Sequence, residues 1–374
     1  MMLADQGAEV IKVERPRVGD GARGTGPFVG EESAYFMGLN RNKQSITLDL
    51  AQPRGREIFL GLASQADVVV ENFTPGTMAR LGLDFPVLQE RNPRLVYCAI
   101  SGFGATGPYA ERPALDIIVQ AMGGIMSITG EAGQGPVRVG ASVGDIVAGL
   151  FAVSGILSAL HERTGSGLGQ MLDLSMLDCQ VAVLENAFGR YFATGEPPTP
   201  LGTRHPAATP FQAFPTRDGW IVVAIFGGAS NQWPLFCAAM GHPELMDDPR
   251  FQTSWDRTQE IAFLEPLIGE AMLQRTTEEW LSELVPMGIP CGPVNSVDQV
   301  AADPQIQARE MLVDLPHRRL GTWTYVNTPV RLSRTPGEVR GEPPGLGEHT
   351  ESVLGRLLGM PGPEVEALRR GGTV

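Results

Sequence analysis

Asp145 is the one charged side chain in the run Gly140–Leu160, "GASVGDIVAGLFAVSGILSAL", where all other residues are small or apolar. A carboxylate directly after Gly144 and ahead of a helix-forming stretch has two physical uses. It can cap a helix starting at Ile146 by accepting free backbone N–H groups. It can also act as a nucleophile: small neighbours admit a bulky substrate, and the helix N–H groups stay available to an oxyanion. Both uses call for the same residue at the same place, so residue type and spacing leave them open.

Other chemistry-bearing patterns are weaker. Gly102–Gly107 reads "GFGATG" and comes after a strand-like run, which matches the dinucleotide spacing G-x-G-x-x-G. A nicotinamide site needs those glycines to open a helix, yet Pro108 and Pro113 interrupt the next segment, so no NAD is expected. The five histidines include no H-E-x-x-H pair, and neither a G-x-S-x-G elbow nor a phosphate-binding G-x-x-x-x-G-K-[ST] loop is present. The four cysteines, Cys98, Cys179, Cys237 and Cys291, are far apart and form no C-x-x-C. They predict neither a disulfide framework nor a zinc ribbon, so no metal is expected and a reducing, cytoplasmic setting fits.

The elements that must position these residues are read from composition and periodicity. The chain has 374 residues, 43% hydrophobic and 19% charged, which is ordinary for a globular protein and ample for two domains. Net charge is −13 with the basic residues scattered, so no nucleic-acid groove is expected. The opening "MMLADQGAEVIKVERP" lacks the three regions of a signal peptide. The apolar stretch after Asp145 reaches only Leu160, short of the roughly 20 residues that span a bilayer, so it reads as a buried helix and no membrane partner is expected.

Runs such as "AEVIKVE", "QSITLDL", "DVVVENF" and "RLVYCAISGF" read as strands. They alternate with helices such as "PRGREIFLGLASQA" and "LDIIVQAMGGIM", predicting α/β architecture with a parallel sheet up to about Thr194. "TGEPPTPLGTRHPAATP" then marks a break by its Pro and Gly density. Beyond it lies a smaller α+β domain, with strand "RDGWIVVAIF" and helix "TTEEWLSELVPMG", capped by Thr276 or Thr277. The expected division is a doubly wound α/β unit over 1–195, a linker and small α+β domain over 196–305, and a closing segment of strands and two helices over 306–374.

Taken together, "GAEVIKVERP", "LNRNKQSITLDL", "VENFTPGTMARLGL", "NPRLVYCAISGFGATGPYAERPALD", "QAMGGIMSITGE", "GIPCGPVNSV" and "LGEHT" resemble the family III CoA-transferases (CaiB/BaiF), in order along essentially the whole chain. The resemblance implies an interlocked homodimer whose large Rossmann-like domain is built from both chain ends. It implies that Asp145, in "VRVGASVGDIVAGL", is the catalytic nucleophile. Its carboxylate would attack an acyl-CoA thioester, giving an acyl-aspartyl anhydride and CoA thiolate. The acceptor acid then takes the acyl group, or CoA passes on through an aspartyl-CoA thioester. Acyl-CoA and a carboxylic acid are the implied partners, with no metal or redox cofactor.

Family contacts to coenzyme A fall on Arg15, Lys43, Asn72, Phe73 and Arg80, and an acidic substrate-pocket position falls on Asp116. The bland alternatives are solvated cations at Arg15, Lys43 and Arg80, a turn at Asn72, core packing at Phe73 and a helix cap at Asp116. Gly227 and Gly228 match the family's glycine loop poorly and read as a strand end and turn. Two rivals remain in view: an acyl-CoA racemase of the same fold and a CoA-binding protein without catalysis. The racemase needs a second base, and the position that carries its His is Leu115, which cannot move a proton. Family members usually open with a strand ahead of the first helix, so the resemblance also implies that roughly 20 residues of a first Rossmann unit precede this start.

Overall fold

β-Branched and aliphatic runs set the strands of the computed structural model, which describes residues 1–226 and 232–374. Gly227 and Gly228 lie outside the described residues. Two compact units form. The first holds Met1–Gly123, Ala141–Val183 and Ala301–Val374; the second holds Gly124–Gly140 and Leu184–Val300. Residues 124–140 and 184–195, read from sequence with the large domain, therefore group with the second unit.

In the first unit, Val10–Glu14 (β1) leads to a short hairpin, Phe28–Val29 (β2) and Glu32–Ser33 (β3), and then to Lys43–Thr47 (β4). Val68–Glu71 (β5), Val96–Ser101 (β6) and Met171–Ser175 (β7) come next. β1 pairs parallel with β4 in the register Val10↔Lys43, and β5, β6 and β7 form a second parallel sheet in that order. The parallel strands foreseen from sequence are thus present as two sheets. The helix Pro53–Ala63, with Pro at its first position, packs Ile58 and Leu62 against Ile46 and Leu48. The closing helices Thr350–Leu358 and Gly362–Arg370 complete that core with Val353, Leu354 and Val365.

The longest helix runs Val143–Ser166 and buries Gly144, Ala148, Ala152, Ile156 and Ala159. That face is made of small residues at helical spacing, which lets the helix lie close on β6 and β7. A Cβ on Gly155 would sit 2.5 Å from Leu172 Cδ2, so a larger residue there would have to displace the Leu172 side chain. The opposite face leaves Ile146, Leu150, Phe151 and Leu157 exposed. The buried helix ending near Leu160 is therefore corrected: the helix is 24 residues long and one-sided. By length and composition it is the one helix among the described residues that could cross a membrane.

The second unit carries an antiparallel sheet of Phe211–Pro215 (β8), Trp220–Ala224 (β9) and Cys291–Pro293 (β10), ordered β10-β9-β8. Its core is one continuous cluster that includes Phe214, Phe236, Phe251 and Trp280. Thr276 caps the helix Thr277–Leu284 through a capping box with Glu279. The chain then returns to the first unit, where the hairpin Leu312–His317 (β11) and Gly321–Val326 (β12) packs Tyr325 against Met37.

Candidate active site

Ligands of open parallel sheets bind beyond the carboxyl ends of the strands. In the first unit, carboxylates pin the loops that leave those ends. Glu14, the last residue of β1, accepts hydrogen bonds from Asp20 N (3.0 Å), Arg23 Nε (2.8 Å), Arg23 Nη2 (2.8 Å) and Ser45 Oγ (2.6 Å). Burial pushes its pKa up, but the hydrogen bonds from Arg23 and Ser45 prevail and hold it below the usual value. Glu71, the last residue of β5, accepts from Phe73 N at 2.6 Å and from Tyr97 Oη at 3.2 Å, and burial raises its pKa. Asp173 in β7 accepts from Ala105 N at 3.1 Å, holding the "GFGATG" loop. That loop leads through turns to the helix Asp116–Met122 and opens no helix itself.

Arg15 and the Asn72–Phe73 pair lie just past the carboxyl ends of β1 and β5. Asn72 Nδ2 donates to Ile100 O at 2.6 Å, tying its loop to β6. Phe73 is 47% exposed, so core packing is overturned. Arg80, exposed on the short helix Thr77–Leu81, donates to Thr77 Oγ1 at 2.8 Å. Lys43 is at the opposite end of its strand, paired with Val10. Five strand residues, roughly 16 Å, separate that level from Arg15, so the two backbone positions are not brought together. Lys43 Nζ donates to Asn40 Oδ1 at 2.8 Å, and burial, helped by Lys12, pulls its pKa down to about 8.

Asp145 is the third residue of the helix Val143–Ser166, and its side chain is exposed. The cap starting a helix at Ile146 is therefore corrected, because the helix begins three residues earlier. Its own N-cap, Ser142, makes no side-chain cap hydrogen bond. Instead, Asp116 Oδ1 accepts from Gly144 N at 2.9 Å, while Asp116 Oδ2 accepts from Gln120 Nε2 at 2.9 Å. Asp116 thus caps a helix 28 residues further along rather than its own. Asp145 stands in the first turn of its helix, at the positive end of the helix dipole. Leu115, where a racemase needs its base, is 73% exposed and aliphatic.

Sequence reading missed Glu14, Glu71, Asp173, Gln120 and Gln180. An acid as the last residue of a parallel strand is a signal that could have found the first two; the glutamines have no local signature. Cysteine offers no rival nucleophile at Cys98 or Cys237, whose thiols burial raises to about 11 and about 12. Among the described residues, no three His, Cys, Asp or Glu side chains gather to hold a metal.

Parallel strands with pinned end-loops and a carboxylate in the first turn of a close-packed helix place the candidate residues on an α/β scaffold. The family described as CoA-transferase family III matches residues 1–350. The succinate–glutarate CoA-transferase of Agrobacterium fabrum is 41% identical over 95% of this chain and 90% of its own. The acetyl-CoA:oxalate CoA-transferase of Acetobacter aceti is 41% identical over 89% of this chain and 84% of its own. A CaiB/BaiF family protein from Brucella suis superposes with a TM-score of 0.83 at 40% identity, covering 95% of this chain and 93% of that one. The chain belongs to CoA-transferase family III and is a CoA-transferase. The racemase and the non-catalytic binding protein are set aside.

Proposed function

We propose that Asp145 carries CoA transfer covalently. One Asp145 carboxylate oxygen attacks the thioester carbonyl carbon; the C–S bond breaks and CoA leaves as thiolate with the bonding pair, giving a mixed anhydride. The thiolate attacks the aspartyl carbonyl of that anhydride, expelling the donor acid and forming an aspartyl-CoA thioester. The acceptor carboxylate and the thiolate then repeat the two exchanges in reverse, returning Asp145 as a carboxylate. Every step trades one activated acyl group for another, so no proton or electron is consumed and water must be kept away. The observation that carries this reading is the place of Asp145, exposed in the first turn of a helix whose start is fixed by Gly144 and Asp116.

Coenzyme A is assigned to Arg15, Asn72, Phe73 and Arg80, with Lys43 as a cation approached from the other strand end. A flat, exposed Phe73 ring suits a nucleobase, and guanidinium forks suit phosphates. The acceptor is proposed to be a short aliphatic dicarboxylic acid, as the names of the two relatives at 41% identity support.

A large Rossmann-like domain and an interlocked homodimer complete the proposal. The apolar face of the helix Val143–Ser166 supports a protein partner over a membrane: its other face belongs to the packed α/β core, and a spanning helix cannot share a soluble core. A cytoplasmic setting is part of the same proposal. The test is Asp145→Ala, expected to lose turnover by a factor on the order of 10⁴ or more while CoA binding measured by calorimetry is retained. Turnover within tenfold of the parent would overturn the assignment.

A further inference from the structure

We infer that Asp116, backed by Gln120 and Gln180, is a positioning residue that fixes the peptide leading into Asp145, and does not contact the transferred acid. The inference rests on Asp145 being the nucleophile. Asp116 holds the backbone just ahead of Asp145 with a bond of ordinary length, and two buried glutamines stand at the outer edge of hydrogen-bond reach of two more levels. Gln120 Nε2 reaches Ala141 O at 3.4 Å, Gln180 Nε2 reaches Val143 O at 3.5 Å, and Asp116 Oδ1 accepts from Gly144 N at 2.9 Å. Asp116 is 9% exposed, and both glutamines are fully buried. Each oxygen of Asp116 already faces a protein donor, Gly144 N or Gln120 Nε2, which is the environment of a structural acceptor.

Two further observations mark the clamp as more than incidental packing. A Cβ on Gly144 would meet Val119 Cγ2 at 2.6 Å and Asp116 Oδ1 at 3.1 Å, so the glycine is what allows this approach. Among the described residues, buried Gln180 Oε1 finds no hydrogen-bond partner. Leaving such an acceptor unmet is costly, so an apolar side chain of similar volume would suit the site better unless the amide is needed for Val143 O. Catalytic groups must be held within about half an ångström of the reacting geometry, and displacement of the first helical turn would move Asp145 directly.

The test compares Asp116→Asn, Asp116→Ala and Gly144→Ala with the parent, using succinyl-CoA and acetyl-CoA as donors and glutarate as acceptor. An asparagine oxygen still accepts from Gly144 N–H, and its amide can pair with a rotated Gln120 at the loss of the longer contact to Ala141 O, so the hold on Gly144 survives without the charge. Expected are a fall of roughly 100-fold in kcat for Asp116→Ala and Gly144→Ala, little change in KM for glutarate, and rescue to within about fivefold in Asp116→Asn. Hydroxylamine trapping in a single turnover should find the adduct on Asp145 in all of them, slowed in parallel with kcat. A loss in Asp116→Asn equal to that in Asp116→Ala, with a raised KM for glutarate, would mean a carboxylate facing the acid and overturn the inference. Normal kcat in both alanine variants would overturn it as well. Should the parent itself show turnover without an adduct on Asp145, the nucleophile reading fails first and takes this one with it. Gly144→Ala removes no functional group, so it keeps the test valid if Asp116→Ala does not fold.

Discussion

The two units solve the burial problem differently. The second gathers its large side chains into one cluster around Phe236, Phe251 and Trp280. The first divides its core among several smaller clusters and leaves one face of the helix Val143–Ser166 open, with Ile146, Leu150 and Leu157 exposed. A single core resists change but offers few movable surfaces. A divided core with small residues at its helix contacts places backbone close to backbone, which is what a site at strand ends and a helix start requires. The first unit therefore holds backbone close to backbone around the start of the helix and leaves Ile146, Leu150 and Leu157 exposed on it.

Substitutions can break that comparison. The largest effect is expected from Trp280→Ala, since Trp280 is 1% exposed and donates to Met272 O at 2.8 Å. It should cost about 3–5 kcal/mol in a denaturant melt that tracks the second unit. Next is Gly155→Val, where the first added carbon already meets Leu172 Cδ2 at 2.5 Å; about 1–3 kcal/mol of overpacking strain is expected in the first unit. Leu150→Glu should change chain stability by less than about 0.5 kcal/mol, because the residue is exposed in the single chain. If a second copy covers the helix, the assembled dimer should nevertheless melt at a lower temperature in this variant, since interlocked subunits separate only by unfolding. An unchanged melting temperature of the assembled protein would remove the proposed role of this face.

How much of this was legible depends on where each signal lives. The strands around Val10, Val68 and Val96 and the cap at Thr276 are written in neighbouring residues, and they form close to where they were read. The start of the helix at Val143 is not, because its acceptor is Asp116, remote in sequence. Local rules therefore put the cap on Asp145 itself. The length and one-sidedness of that helix were also missed, since periodicity identifies an apolar face without saying what covers it. The site positions came from family resemblance, and the loop-pinning acids Glu14 and Glu71 escaped because strand-end carboxylates look like ordinary solvated charges.

The smallest expected effect sharpens the view of the strand ends. Lys43 has its pKa lowered from 10.5 to about 8. Below pH 8 it is charged in both folded and unfolded chains, and the cost of burying that charge is fully present. Between about pH 8 and 10.5 the unfolded state holds more protons, so the contribution of Lys43 to stability rises with pH. The stability difference between the parent and Lys43→Met should shrink over that window. CoA affinity, if Lys43 meets a phosphate, should fall as pH passes about 8, and Lys43→Arg should abolish that fall. A flat affinity profile in the parent would leave Lys43 as a structural partner of Asn40.

The most direct test of the central claim is peptide mass spectrometry after incubation with succinyl-CoA and quenching with hydroxylamine, with Asp145→Ala as control. A donor-dependent hydroxamate on Asp145, absent from the control and forming at least as fast as turnover, is the predicted result. Full transferase turnover with Asp145 unmodified would contradict the covalent account.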